Sequence, residues 1–281
     1  MKLEFIVNEY LLMWHLLYQS SVAEDLHKLK QQLWLANKKE YSILYKEKEL
    51  ILKEKEDYIP CDDLIFNSLE ESEIYKKIKK ETIRYKQIIL QIWDENSKLY
   101  LNALQDILKT SIMENYKIYV IYPTLNVIEV EALDKVISIG KKITIRDKDN
   151  FLTYLIYKII ESEFSVLKHQ ELDIAEVVLE LAITNELYTR VTNESKYAIG
   201  KSNLKKMKKQ IYPYWLMYLG VKEEEMEHYM VRDNIFFNIS EFHYEKNLQN
   251  LDIYTFINYL IKKRRPILRK KPITAQQIEI L

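Results

Sequence analysis

The sequence predicts a mainly α, α+β protein, in which long N-terminal helices precede a small β element packed with further helices. Three observations predict this fold class. The 281-residue chain has 3 glycines, whereas average usage would give about twenty. Residues 68–113 contain neither glycine nor proline. Residues 117–131 are rich in β-branched and aromatic side chains that alternate as in a strand. Because glycine permits left-handed turns, a chain so poor in it favours long helices over many tight turns.

The first 114 residues are predicted to form a helical N-terminal region of long antiparallel helices. Apolar residues at helical spacing predict a helix over 3–18, and mixed lysine and glutamate predict solvated helices over 22–57. Pro60 marks a break. Ser68, followed by Glu71, matches a capping box and predicts that a long helix begins there.

Residues 115–281 are predicted to form a mixed α+β region that ends in a basic tail. No flexible linker separates the two regions, so a single domain remains an alternative. Pro123 interrupts the strand pattern of residues 117–131. A second short strand is predicted over 142–146, and helices are predicted over 151–167 and 171–192 and near 201–219, 222–232 and 247–264.

Composition excludes several classes of function. The 42 basic residues balance 42 acidic ones, so no global field attracts nucleic acid or an anionic membrane. The single cysteine, Cys61, excludes an internal disulfide and a thiolate metal cluster. Cysteine usage suits a reducing compartment, so we expect a cytoplasmic protein. No run of 18 apolar residues occurs, so we expect no transmembrane segment.

The common catalytic and cofactor motifs are absent from the sequence. The closest two glycines, Gly200 and Gly220, lie 20 residues apart, which excludes P-loops and dinucleotide-binding loops. No G-x-S-x-G motif occurs, and the five histidines form neither H-x-x-x-H nor H-x-H. We therefore expect no cofactor, no metal and no assembled catalytic site.

One segment has an organisation that resembles a known family. Two predicted strands precede the helices FLTYLIYKIIESEF and DIAEVVLELAITNELYTRV. This order, over roughly residues 117–190, resembles the core of the gluzincins, a group of zincin zinc metallopeptidases. In that family one helix carries H-E-x-x-H and the next supplies a glutamate ligand.

The resemblance assigns four positions to this pattern. Tyr157 and Glu161 stand where the two histidines would be, Lys158 stands where the general base would be, and Glu180 retains the ligand type. One carboxylate cannot hold zinc in a tetrahedral site, so the resemblance implies an inactive relative. The alternative explanation is ordinary α+β packing, because both helices carry apolar stripes that would bury against the strands.

The C-terminal stretch is the remaining candidate for chemistry. Such a basic run could bind the phosphates of a nucleic acid or dock on an anionic membrane. It could also be a solvated end of the chain, or a helix end whose cations interact favourably with the helix dipole. Pro266 and Pro272 favour an extended conformation over a helix. Seven cations lie within ten residues: Lys262, Lys263, Arg264, Arg265, Arg269, Lys270 and Lys271.

Three functional hypotheses follow. We favour a non-catalytic cytosolic interaction or regulatory protein with a protein partner, because no catalytic constellation is present and 22 tyrosines supply interface anchors. The first alternative is an enzyme or inactive relative of the zincin metallopeptidases. The second is a nucleic-acid-binding protein that uses the C-terminal basic run.

Overall fold

The computed structural model describes residues 1–19, 24–54, 63–112, 115–131, 136–143, 147–164, 167, 169–194, 202–233, 235 and 243–269. The fold is mainly helical with one four-stranded sheet, which confirms the predicted fold class.

The chain divides into two compact units. The first comprises Met1–Asn96 with Met113–Lys148, and the second comprises Ser97–Ile112 with Asp149–Leu281. The predicted boundary at residue 114 is adjacent to the point where the chain re-enters the first unit. The assignment of two domains itself stays a prediction.

The first unit contains the sheet, in the order β1-β2-β4-β3. Strands β1 (Lys2–Ile6), β2 (Asn115–Val120) and β4 (Val136–Gly140) run parallel, and β3 (Val127–Glu131) pairs antiparallel with β4. All five residues of β4 are buried. A parallel strand covered on both faces carries a continuous run of small and apolar residues, which VISIG supplies.

The predicted strand over 117–131 is confirmed, whereas the predictions for residues 3–6 and for residues 142–143 are wrong. Strands β2 and β3 flank a 3-10 turn at Pro123–Leu125, as the interrupted pattern predicts. Residues 2–6 form a strand instead of the start of the predicted helix over 3–18. The strand that precedes α7 is β4, which ends at Gly140, so Lys142 and Ile143 of the predicted strand over 142–146 belong to no strand. The remainder of the predicted strand over 142–146 lies outside the described residues.

The helices of the first unit pack their apolar sides into one core with the sheet. The first of them is capped by Asn8, whose Oδ1 accepts a hydrogen bond from the amide of Leu11 at 2.9 Å. These helices are α1 (Glu9–Tyr18), α2 (Glu24–Ala36), α3 (Lys38–Lys46), α4 (Lys48–Glu54), α5 (Asp63–Glu71) and the part of α6 (Glu73–Leu108) that ends at Asn96.

The predicted helix start at Ser68 is wrong. Ser68 lies inside α5, where its hydroxyl donates to the carbonyl of Leu64. Helix α6 begins at Glu73, and the residue before it, Ser72, caps it, because the Oγ of Ser72 accepts a hydrogen bond from the amide of Tyr75 at 3.2 Å. Helix α5 continues beyond Ser68 because its apolar side, which includes Leu69, is buried. Tertiary packing therefore overrides the local capping signal. Pro60 and Cys61, where a break is predicted, lie outside the described residues.

The second unit is helical, and the helices predicted for it are present. One helical run is continuous from His169 to Thr192, and its middle part is a π-helix. Besides the α6 residues from Ser97 onward, the elements are α7 (Lys148–Ser162), α8 (His169–Leu179), the π-helix (Glu180–Leu187), α9 (Tyr188–Thr192), α10 (Lys205–Leu219), α11 (Met226–Arg232), α12 (Ile253–Lys262) and α13 (Arg264–Arg269).

The extended conformation predicted at Pro266 is wrong, because Pro266 lies in α13. It is the third residue of that helix. The first turn of a helix has amides without an intrahelical acceptor, so proline removes no hydrogen bond there. Pro272 lies outside the described residues.

Two of the three glycines stand where a side chain would be unfavourable. A Cβ at Gly140 would lie 2.7 Å from the carbonyl oxygen of Tyr122. Gly220 ends α10 with a φ of 82°, the left-handed conformation that glycine adopts without strain. Gly140 therefore allows close packing against Tyr122, and Gly220 allows α10 to end in a left-handed conformation. Within the described segments, none of the helices combines the length and apolar composition that crossing a bilayer requires.

Candidate functional site

The zincin-like positions lie in the second unit, on α7 and at the start of the π-helix. Tyr157 is buried, and this burial raises the pKa of its phenol above the ordinary value. The carboxylates of Glu161, Glu176 and Glu180 raise that pKa further. The fold therefore brings Tyr157, Glu161 and Glu180 within electrostatic reach of one another.

Each of the two carboxylates at zincin-like positions pairs with an ammonium group. Lys158 Nζ lies 2.6 Å from Glu161 Oε2, one helical turn away on α7. Glu180 Oε2 lies 3.3 Å from Nζ of Lys208 on α10. Within the described part of the chain, no group of three or more His, Cys, Asp or Glu side chains could hold a metal ion.

The ion pair between Glu180 and Lys208 is buried and includes a third polar side chain. Lys208 is fully buried, and its Nζ also lies 3.4 Å from Oδ1 of Asn185. Desolvation lowers the pKa of Lys208, while the neighbouring Glu180 carboxylate raises it. We call Glu180, Asn185 and Lys208 the buried polar triad.

The π-helix explains how Glu180 and Asn185 reach the same ammonium group. An α-helix turns by about 100° per residue, so residues five apart would point about 140° away from each other. A π-helix joins residues five apart by hydrogen bonds, which brings Glu180 and Asn185 to the same side of the helix. The local change of helix type therefore assembles the buried polar triad.

Sequence reasoning selected Glu180 but missed Lys208 and Asn185. One signal for Lys208 was available. Leu204 lies four residues before it, and Ile211 and Tyr212 lie three and four residues after it, so Lys208 belongs to the apolar stripe of α10. A lysine in such a stripe indicates a buried partner. The π-helix had no comparable signal, so the role of Asn185 could not be predicted.

The C-terminal basic run is partly described. Lys262, Lys263, Arg265 and Arg269 are exposed at the end of α12 and on α13, and Arg264 is half-buried. Lys270 and Lys271 lie outside the described residues. The described cations of the run are therefore accessible to a polyanion.

Helices α2 to α4 of the first unit expose five large apolar side chains. Each of these side chains is between 43% and 58% exposed. Lys38 Nζ lies 4.9 Å from the centroid of the Trp34 ring, and the Tyr45 ring stacks on Trp14 at 5.8 Å. The α2–α4 surface is defined as Trp34, Leu35, Ile43, Tyr45 and Leu50.

A histidine is buried in the core of the first unit. His15 on α1 has no solvent exposure, and among the described residues neither of its ring nitrogens has a hydrogen-bond partner. Desolvation lowers the pKa of His15 to about 4, the Glu129 carboxylate opposes this effect and the Lys48 ammonium adds to it. The imidazole is therefore neutral at pH 7.

Comparison with known proteins identifies no relative. No protein-family model matches this chain, and neither a curated protein nor a solved structure matches it. The chain's own residues are the basis for a functional proposal.

Proposed function

We propose that this chain is a non-catalytic interaction protein that binds another protein through the α2–α4 surface. The observation that carries the proposal is the exposure of five large apolar side chains within residues 34–50. Burying apolar area yields roughly 25 cal/mol per Å². Tryptophan and tyrosine are also the residues that most often dominate the energy of protein interfaces.

The aromatic members of this surface are held in place before binding. The Tyr45 ring contacts both Trp14 and Tyr18, with ring centroids 5.8 Å and 5.2 Å away. Lys38 covers part of the Trp34 ring. Side chains that are already ordered lose less conformational entropy on association, so Trp34 and Tyr45 are suited to anchor a partner.

The charge around this surface indicates the chemistry of the partner. Within residues 34–50, Lys38, Lys39 and Lys46 are exposed, whereas of the acidic residues Glu49 is exposed, Glu40 is half-buried and Glu47 is buried. Complementary charges steer association and select partners. The proposed partner therefore presents an apolar face bordered by aspartate and glutamate.

Selection of displayed helical peptides against the full chain tests this proposal. We expect enrichment of peptides with apolar residues at i, i+3, i+4 and i+7 and acidic residues beside them. Ile43→Glu should weaken a selected peptide by at least about tenfold, because a charge would face the apolar contact. Fluorescence anisotropy measures the dissociation constants.

Ile88→Glu is the matched control, because Ile88 is an isoleucine on α6 of the same unit and is 48% exposed, against 46% for Ile43. It should leave peptide affinity unchanged. Equal weakening by Ile43→Glu and Ile88→Glu would contradict the proposal. Self-association that Ile43→Glu abolishes, measured by sedimentation, would identify a second copy of the chain as the occupant and overturn it as well.

Nucleic-acid binding through the basic run is a second candidate. It is supported by the exposure of Lys262, Lys263, Arg265 and Arg269. Neutralising phosphates with such cations releases counterions and favours binding. The equal numbers of acidic and basic residues in the whole chain make this candidate weaker than the first.

Descent from the zincin metallopeptidases is a third candidate. The order of the helices α7 and α8 and the proximity of Tyr157, Glu161 and Glu180 support it. Metal analysis of the purified chain distinguishes an active relative, which would retain equimolar zinc, from an inactive one, which would not.

A further inference from the structure

The second unit contains a pocket with a volume of about 300 Å³. Its walls come from the π-helix, α9, α10 and α11. This volume is at the lower end of the range for small-molecule sites. The pocket belongs to the second unit, whereas the α2–α4 surface belongs to the first.

Part of the pocket lining is apolar. Leu181 of the π-helix and Trp215, Leu216 and Leu219 of α10 form it. The Trp215 ring is fixed by stacking on Tyr218 at 5.1 Å. Leu219 and Val221 are half-buried and give the pocket accessible apolar surface for the body of a small ligand.

Two arginines, Arg190 and Arg232, also line the pocket, together with the carboxylates of Glu186 and Asp233. Arg232 makes two hydrogen bonds to Asp233, of 2.9 Å and 3.0 Å, and the Tyr212 hydroxyl donates to the same carboxylate. The Asp233 side chain is only 7% exposed, whereas that of Arg232 is 46% exposed. The carboxylate is therefore covered and the guanidinium faces solvent.

A second arginine is also paired with a carboxylate. Arg190 Nε donates to Glu186 Oε1 at 2.8 Å, and both residues line the pocket. Arginine carries five N–H donors in a planar group. Glu186 accepts the hydrogen bond from Nε of Arg190. The terminal nitrogens of Arg190 can therefore contact an anion.

The π-helix and the buried ion pair between Glu180 and Lys208 are two unusual features of this unit. A π-helix is rare and frequently occurs at functional sites, and burial of an ion pair incurs a large desolvation penalty. Asn185 connects these features to the pocket. It lies in the π-helix, its side chain contacts Lys208 of the buried polar triad, and it lines the pocket. Leu181 and Glu186 of the same π-helix also line the pocket. The π-helix is therefore one of the segments that form the pocket wall.

We infer that this pocket binds a small organic anion. The negatively charged oxygens of the ligand contact Arg190 and Arg232, and its apolar body lies against the half-buried side chains of Leu219 and Val221. Charge-assisted bonds from arginine to carboxylate or phosphate oxygens are short and strong. The inference does not depend on the proposed protein partner.

Calorimetric titration of the full chain with four probes tests the inference. Benzoate and phenyl phosphate combine an anion with an apolar ring, benzamide lacks the charge, and inorganic phosphate lacks the ring. We expect saturable binding of benzoate or phenyl phosphate, at least about tenfold tighter than benzamide and inorganic phosphate. The comparison of benzoate with phenyl phosphate identifies which anion the pocket prefers.

Substitutions connect such binding to the pocket. Arg190→Gln and Arg232→Gln should each weaken the preferred anion by about tenfold, and Leu219→Trp should abolish binding by filling the pocket. The matched control is Arg84→Gln, because Arg84 is exposed on α6 in the first unit. Circular dichroism verifies that each variant is folded.

The inference is overturned if neither anion shows saturable binding or if benzamide binds as tightly as the anion that the pocket prefers. Unchanged affinity in both arginine variants also overturns it. Because Arg190 and Arg232 are tested separately, misfolding of one variant leaves the other as a test.

Discussion

His15 shows how a single buried side chain affects the stability of this protein. An imidazole without hydrogen bonds is buried at a cost, and its protonated form would be buried at a far greater cost. The pKa of His15 is lowered to about 4 for this reason, against an ordinary value of 6.5. The unfolded chain therefore binds a proton at a pH where the folded protein does not.

We predict that acid destabilises the protein through His15. Between pH 6.5 and pH 4 the unfolded state binds more protons than the folded state, so the free energy of unfolding falls as the pH falls. A shift of this size corresponds to about 3 kcal/mol once the pH reaches 4. His15→Leu removes this contribution, so its free energy of unfolding should fall less steeply. Urea unfolding at several pH values measures the difference.

His228→Leu is the control for this prediction, because His228 is exposed on α11. Its unfolding curves should have the pH dependence of the unsubstituted chain between pH 6.5 and pH 4. If His15→Leu and the unsubstituted chain lose stability in parallel, His15 is not the origin of the acid sensitivity.

Individual residues also show what a sequence can predict of a site. Glu180 could be selected because a helical pattern resembles a known motif. Its partner Lys208 is 28 residues away on another helix, and a pairing of that kind depends on packing between helices. The position of Lys208 in an apolar stripe was visible, but the identity of its partner was not.

At the scale of elements, local patterns predicted the helices better than the strands. The apolar stripes of α7 and α10 depend on neighbours three and four residues away, which the sequence displays directly. Strand β1 pairs with β2, so that Lys2 lies opposite Asn115. Because the sequence KLEFI is compatible with a helix or a strand, this distant pairing decides its conformation.

The π-helix allows a prediction about the buried polar triad. Lys208→Met leaves Glu180 buried without its cation, which should lower the free energy of unfolding by about 3 to 5 kcal/mol. Combining Lys208→Met with Glu180→Gln removes the uncompensated charge and should restore much of that loss. Urea unfolding of the two single variants and the double variant gives the coupling energy of the pair.

An exposed ion pair supplies the control for this measurement. Lys76 Nζ lies 2.8 Å from Glu73 Oε1, and both side chains are exposed on α6. Lys76→Met should change the free energy of unfolding by less than about 1 kcal/mol. A double variant as unstable as Lys208→Met alone would show that the buried pair is not coupled in the way that the contact indicates.

Considered as a whole molecule, the chain combines zero formal net charge with a concentrated basic run. A balanced charge produces no long-range attraction to a polyanion, whereas a local run can still contact phosphates. The favoured proposal of a protein partner and the alternative of a nucleic-acid partner therefore differ in one measurable quantity, the dependence of nucleic-acid affinity on salt.

We predict that the full chain has no salt-sensitive affinity for single-stranded or double-stranded DNA or RNA. Fluorescence anisotropy between 50 mM and 200 mM salt measures this, because each phosphate contact would contribute a slope of about −0.9 in log K against log salt for duplex DNA. A variant with Lys262, Lys263, Arg265 and Arg269 replaced by glutamine serves as the comparison. A steep slope in the natural chain that this variant loses would contradict the prediction and make nucleic acid the partner. Equal, weak binding by both chains would mean that the acidic residues elsewhere offset the run, as a net charge of zero implies.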